Sequence, residues 1–138
     1  MSVRTARPEN DLTAILALWA QAGPGVQLSP SDEPAAIMQK VQRDPDLFLV
    51  YESGGEILGV VLGGYDGRRG LVYHLAVQSG QRRKGIGAAL MKELEARLRA
   101  KGCYKYYLLV TPGNTGALAF YEDFGCEKMD LLVLGKVV

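Results

Sequence analysis

The sequence predicts a mixed α/β domain: a largely antiparallel sheet, covered by helices, with one parallel crossover. Three observations predict it. Apolar runs of strand length alternate with segments of helical period. Three consecutive strand-like runs, over residues 47–52, 57–65 and 71–77, are joined by short glycine-bearing turns, the pattern of antiparallel hairpins. A long amphipathic helix then leads from the third run to another apolar strand at 104–111, a unit that requires a crossover.

Taken in order, residues 3–7 read as a short first strand, and Pro8-Glu9-Asn10-Asp11 opens a helix in which Leu12, Ile15, Leu16 and Trp19 recur at helical spacing. Gly23-Pro24-Gly25 ends it. A second helix starts near Ser31, turns Ile37, Met38 and Val41 inward, and stops before Pro45, which disfavours helical geometry at Asp44. Ser53-Gly54-Gly55 and 66–70 (DGRRG) are the hairpin turns, and 71–77 (LVYHLAV) is apolar enough to be a central strand buried on both faces. From Gly85, the residues Ile86, Leu90, Leu94 and Leu98 form one stripe, supported by Glu93 with Arg97 and Glu95 with Arg99, until Gly102 terminates the helix. Pro112-Gly113-Asn114 is a turn and cap, 115–124 a helix, and 127–134 a final strand that can continue past Gly135.

Composition bounds the function. With 138 residues and 15.0 kDa, the chain is the size of one domain, 1–138, with no internal repeat or linker. No apolar run approaches the roughly 18 residues of a membrane span, and the first ten residues lack a secretory pattern. Cys103 and Cys126 match no metal or redox spacing and are expected as reduced thiols, so a cytoplasmic protein without metal is expected. A net charge of +1 gives nucleic-acid binding no support.

One stretch departs from this even balance. Residues 81–90, QRRKGIGAAL, place Arg82, Arg83 and Lys84 and two glycines where a helix start would ordinarily carry a Ser or Asp cap and acidic residues. Gly85 and Gly87 let amides approach an anion, the helix dipole adds positive potential, and the cations supply donors: a cradle for pyrophosphate. Two common phosphate loops do not fit. Gly80 and Gly85 have P-loop spacing, but Ile86-Gly87 stands where Lys-Ser/Thr is required, and Leu90 stands where the dinucleotide motif needs Gly or Ala.

What does fit is Arg82-x-x-Gly85-x-Gly87 directly after Leu75-Ala76-Val77, followed by 114–125 (NTGALAFYEDFG), which is similar to Asn-x-x-Ala-x-x-x-Tyr with a closing Gly. Together with the opening RTARPENDL, these residues resemble the GNAT superfamily of acetyl-CoA-dependent N-acetyltransferases, closest to small bacterial enzymes related to the ribosomal-protein alanine acetyltransferases. The resemblance implies a mixed, mostly antiparallel sheet of six to seven strands flanked by about four helices. It implies that amides over Arg83, Lys84, Gly85, Ile86, Gly87 and Ala88 hold the coenzyme A pyrophosphate. Leu75, Ala76 and Val77 would flank the pantetheine arm, in a gap between the strands at 71–77 and 104–111, and Asn114 would add a hydrogen bond there.

The chemistry needs a neutral amine, a polarised carbonyl and a proton for the departing thiolate. Tyr121, two helical turns past Asn114, is the residue that the resemblance offers as proton donor and as a cofactor contact. The base is not supplied in the same way: relatives carry Leu-Glu-Val-Arg where this chain has Leu108-Leu109-Val110-Thr111, so Leu109 replaces their Glu. Strand alternation puts Tyr73 on the side of Leu75 and Val77, with His74 opposite. Tyr73, His74 and Tyr65 are candidates for substrate contact, with Glu52 and Asp66 behind them. The expected partners are acetyl-CoA and an amine acceptor, with direct attack in a ternary complex. A homodimer through the last strands, a non-catalytic CoA-binding sensor and an unrelated nucleotide enzyme stay open as alternatives.

Overall fold

A computed structural model describes residues 2–23 and 25–138; Met1 and Pro24, the latter within the predicted helix end, lie outside the described residues. The elements run β1 (Ser2–Thr5), α1 (Pro8–Ala20), α2 (Pro34–Arg43), β2 (Phe48–Ser53), β3 (Glu56–Tyr65), β4 (Gly70–Val77), α3 (Ile86–Ala100), β5 (Tyr106–Leu108) and α4 (Thr115–Asp123), with single 3₁₀ turns at Pro30–Asp32 and Ser79–Gln81. The five strands lie in chain order, antiparallel except for the parallel pair β4 and β5. The predicted mixed sheet with one crossover is what the chain builds.

The sheet is covered on both faces. On one side α1 and α2 bring Ile15, Trp19 and Ile37 against Phe48, Val50, Val60 and Ala76. On the other, the predicted stripe of α3, Ile86, Leu90, Leu94 and Leu98, meets Leu49, Val61 and Val72, with Phe120 and Tyr121 of α4 alongside. Close seating of α3 depends on Gly63, where a Cβ would stand 2.6 Å from Leu94 Cδ1. Over Gly59 to Gly63, alternation along β3 turns Val60 and Leu62 to the α1 layer and Gly59, Val61 and Gly63 to the α3 layer.

At the β1 edge, Asp11 is buried, with a side chain only 7% exposed. It accepts two hydrogen bonds from Arg4, at 2.8 and 3.1 Å, and one from the Arg7 amide at 2.6 Å. The Arg4 guanidinium, with that amide, holds the Asp11 carboxyl below its ordinary range. Arg4 also donates to Glu52 at 2.6 Å. Glu52 is thereby a partner of this ion cluster at β1 and β2.

Several expectations are corrected. The second helix starts at Pro34, not near Ser31; Ser29 and Asp32 form a capping box on a 3₁₀ turn, and Glu33 is extended because a proline follows it. Met38 faces solvent while Ile37 is buried. Glu95 does not pair with Arg99 but accepts from the Tyr106 hydroxyl at 2.7 Å, whereas Glu93 does pair with Arg97 at 2.8 Å. β4 is not buried on both faces: Tyr73 is 39% exposed. β5 is only three residues long, and the segment expected as a final strand at 127–134 joins no ladder, so the sheet has five strands rather than six or seven. A strand needs a neighbouring backbone along its length, and β5 offers an edge of three residues flanked by exposed Tyr104 and Leu109. Leu132 and Leu134 are consequently 92% and 93% exposed. No helix among the described residues is long and apolar enough to cross a membrane.

Candidate active site

The site begins where the sheet stops being continuous. β4 and β5 pair only as Gly70 with Tyr106, Leu71 with Tyr107 and Val72 with Leu108. Beyond these, β4 runs on to Val77 while the other chain leaves the sheet toward Asn114. The backbone of residues 73–77 on that side is left without a strand partner, an edge that an extended ligand can join.

A bulge marks the same place. Opposite β3, the register shifts between Val60 and Leu62: Val60 faces Ala76 and Leu62 faces Tyr73, so two residues, His74 and Leu75, oppose one. His74 takes a positive φ of 45°. Its carbonyl accepts from Trp19 Nε1 at 3.0 Å, its ring meets the Trp19 ring edge-on at 5.1 Å, and its Nε2 lies 2.8 Å from Asp32 Oδ1. The extra residue also breaks the predicted alternation. Leu75 and Val77 pack on the α3 side, whereas Tyr73 lies beside Gly64 and Lys40 on the α1 and α2 side, together with His74. A bulge is invisible in an apolar strand pattern, and so were its supports, Trp19 and Asp32.

After β4 the chain makes the 3₁₀ turn at 79–81 and enters α3. Arg83 has a φ of 64°, and with His74 it is one of the two non-glycine residues in the left-handed region among the described residues. Such conformations cost about 1–3 kcal/mol each and gather at functional sites. His74 lies within the unpaired stretch of β4, and Arg83 lies in the loop that follows it. Gly85, at φ 82°, sits at the helix cap, and no side chain caps the first turn of α3. A Cβ at Gly85 would meet no atom within 4 Å, so the glycine serves the backbone turn and leaves the amides bare. Gly87 has a different reason: a Cβ there would stand 3.2 Å from Phe120 Cζ, which locks α3 to α4. Arg82 donates to the Val77 carbonyl at 3.4 Å and Lys84 to Gln81 Oε1 at 3.3 Å, but neither of them nor Arg83 pairs with a carboxylate among the described residues.

Across the gap stands α4. Asn114 Oδ1 accepts from the Ala117 amide at 3.2 Å, the expected cap. The loop after α1 reaches it, because a Cβ on Gly25 would lie 2.6 Å from Asn114 Nδ2. Tyr121 packs edge-on against Phe120 at 5.1 Å, and burial pushes its hydroxyl up to about 12, so it is protonated at neutral pH. Ile86 is buried, Ala88 half-buried, and Ala76 faces the α1 layer. Tyr65 belongs to the α3 layer: its hydroxyl approaches Gly102 at the end of α3, and its backbone reaches the α2 side, where Arg43 Nη2 donates to its carbonyl at 3.3 Å. Asp66 accepts from the amides of Arg68 and Arg69 at 2.7 Å each, and closes its own turn.

On the α2 face, a depression of about 460 Å³ lies against Tyr73 and Tyr107, with Lys40, Arg43 and Arg69 around it. Sequence reading missed Lys40, Arg43, Arg69 and Tyr107, since α2 and the hairpin turn meet only in three dimensions.

Comparison with known proteins agrees with this geometry. Residues 12–126 match the acetyltransferase (GNAT) family. An acetyltransferase of Pectobacterium atrosepticum is 42% identical over 137 residues, covering 99% of this chain and 94% of the relative. Two solved structures share the fold: a ribosomal-protein-alanine N-acetyltransferase from Brucella melitensis (TM-score 0.75, 24% identity, 91% and 83% covered) and AAC(6′)-Iy in complex with a bisubstrate analogue, CoA-S-monomethyl-acetylneamine (TM-score 0.78, 17% identity, 99% and 97% covered). With its uncapped helix start, its parted strands and a family match over most of its length, the chain belongs to the GNAT acetyltransferase family.

Proposed function

We propose that the protein transfers the acetyl group of acetyl-CoA to a primary amine by direct attack in a ternary complex. The observation that carries this is the juxtaposition of a bare, cation-flanked helix start at Gly85 with the unpaired edge of β4. Acetyl-CoA is used across the family, and the groups present suit it. No side chain caps the first turn of α3 and the space around Gly85 is open, so a pyrophosphate held by the amides of Gly85, Ile86, Gly87 and Ala88 would gain both hydrogen bonds and dipole stabilisation. Arg82, Arg83 and Lys84 add charge at the rim.

Acetyl-CoA supplies an activated acyl carbon. The chain's own groups do the rest. Backbone of residues 75–77 aligns the arm of the cofactor as an added strand, and an amide at the bulge polarises the acyl oxygen. Tyr121 Oη, protonated at neutral pH, gives a proton to the sulfur as the C–S bond breaks, and the proton that the nitrogen loses on forming the C–N bond returns to the phenol through water. The acceptor nitrogen enters from the α1 and α2 side past Tyr73 and His74. Leu109 is 61% exposed, and no carboxylate stands on β5, so a neutral amine attacks without the Glu of the related enzymes. The exposed apolar residues 131–134 fit a dimer contact with a second copy.

One observation, that same missing carboxylate, favours a second reading, a CoA-binding module without turnover. Following thiol release from acetyl-CoA over a panel of small amines and peptides separates the two. Turnover with at least one amine supports transfer. CoA binding with no thiol release from any of them leaves the binding module.

A further inference from the structure

The depression beside Tyr73 has an unbalanced charge. Three cations, Lys40, Arg43 and Arg69, line it against two carboxylates, Asp44 and Asp66. Both carboxylates are already engaged. Asp44 is held by Lys40 at 3.0 Å and by Arg43 at 3.9 Å, and accepts from the Tyr65 amide at 3.5 Å. Asp66 is turned toward its own turn amides. Arg69 has no carboxylate partner among the described residues: its Nη1 reaches only the Arg68 carbonyl, at 3.4 Å, and its Nε is shielded from water without an acceptor. An Nε–H hidden from water without an acceptor is stabilised by an oxyanion that accepts from the guanidinium fork.

The surroundings reinforce the sign. Lys105 lies 5.5 Å from the centre of the Tyr107 ring, and the Arg69 guanidinium, with Lys105 and Arg68 beside it, holds the Tyr107 hydroxyl below its ordinary range. Position matters equally. Gly70, Leu71 and Tyr107 form the floor where β4 and β5 are still paired, and Tyr73 stands at the point where they part. The depression thus leads away from the proposed transfer point on the acceptor side.

We propose that this depression is the acceptor-recognition site, and that it selects amines that carry a carboxylate or phosphate at the end remote from the nitrogen. Arg69 is the principal anion ligand, with Lys40, Arg43 and the Tyr107 hydroxyl around it, and the amine points back past Tyr73. Polycationic amines are disfavoured by the same charges. The inference rests on the transferase reading only for the direction of the amine; the anion site itself can be tested by binding.

The test uses nitrogen-15-labelled full-length protein titrated with 6-aminohexanoate against 6-aminohexanamide, and O-phosphoethanolamine against ethanolamine. Each anionic member is expected to shift the amide resonances of residues 64–71 and 107 and to bind at least about tenfold tighter than its neutral partner, an advantage that falls as salt rises. Arg69→Gln should abolish the preference, while Arg69→Lys, which keeps charge but not the fork, should restore part of it. Whichever anionic member binds tighter identifies carboxylate or phosphate as the source. Equal binding within both pairs, or an intact preference in a folded Arg69→Gln protein, overturns the proposal. A parallel CoA titration separates the two readings: anion binding without CoA binding sinks the transferase reading alone, and CoA binding without anion preference sinks this one alone.

Discussion

The two helices that face the cleft begin in opposite ways. α4 starts conventionally, with Asn114 capping the Ala117 amide from its own side chain. α3 starts at a left-handed glycine with no side-chain cap and no acidic residue in its first turn, next to three cations. A helix start costs free energy when its amides are left unpaired and unsolvated; the chain itself completes the start of α4, and the start of α3 is the one proposed to take a ligand. α4 needs nothing more at its start, and it carries Tyr121, the proposed proton donor. The first amides of α3 have no side-chain cap and are open to water or to the proposed anion.

Four changes break or sharpen that contrast. Tyr121→Phe keeps the ring and removes the proton, and should lower the acetyl-transfer rate about hundredfold or more with CoA affinity unchanged. Because the phenol titrates only near 12, it is protonated throughout neutral and mildly alkaline conditions, so the ratio of the two rates should stay constant from about pH 7 to 10. A mutant defect that fades with rising pH in that window would contradict the donor role. Gly85→Asn tolerates positive φ better than most substitutions, yet puts a side chain into the empty space over the amides; calorimetry should show CoA binding weakened about tenfold, with the thermal midpoint little changed.

Asn114→Ala removes the internal cap and should cost about 1 kcal/mol of stability in denaturant unfolding, while CoA affinity changes less than in Gly85→Asn. If the affinity loss were larger than the stability loss, Asn114 would be a cofactor ligand first and a cap second. Neutralising Arg82, Arg83 and Lys84 singly to Gln should have the smallest effects, a few-fold in CoA affinity each, vanishing at high salt because these side chains are exposed. Persistence of the effect at high salt would mean a direct, desolvated phosphate contact.

How far the sequence reveals this follows from the range of each signal. The α3 stripe, Ile86 to Leu98, and the start at Gly85 are local patterns, set by helical period and residue type, and the structure has them where the pattern puts them. The hairpins of β2, β3 and β4 are equally local. The bulge at His74 is not: it depends on Trp19 and Asp32, tens of residues away, and it moves Tyr73 to the other face from Leu75. The depression lined by Lys40 and Arg69 is non-local in the same sense. The missing final strand is a third case, because residues 127–134 have strand chemistry but lack an edge of adequate length to join. The proposed cofactor side is therefore built from consecutive residues, while the proposed acceptor side is assembled from separate elements.

The central claim is that the bare amides at the start of α3 grip the twin phosphates of coenzyme A. Calorimetric titration of the purified protein with CoA and, in parallel, with pantetheine, which lacks those phosphates, tests it most directly. Saturable heat with CoA and binding at least about hundredfold weaker for pantetheine is the predicted result. Equal affinity for the two, or no heat with CoA, would contradict it.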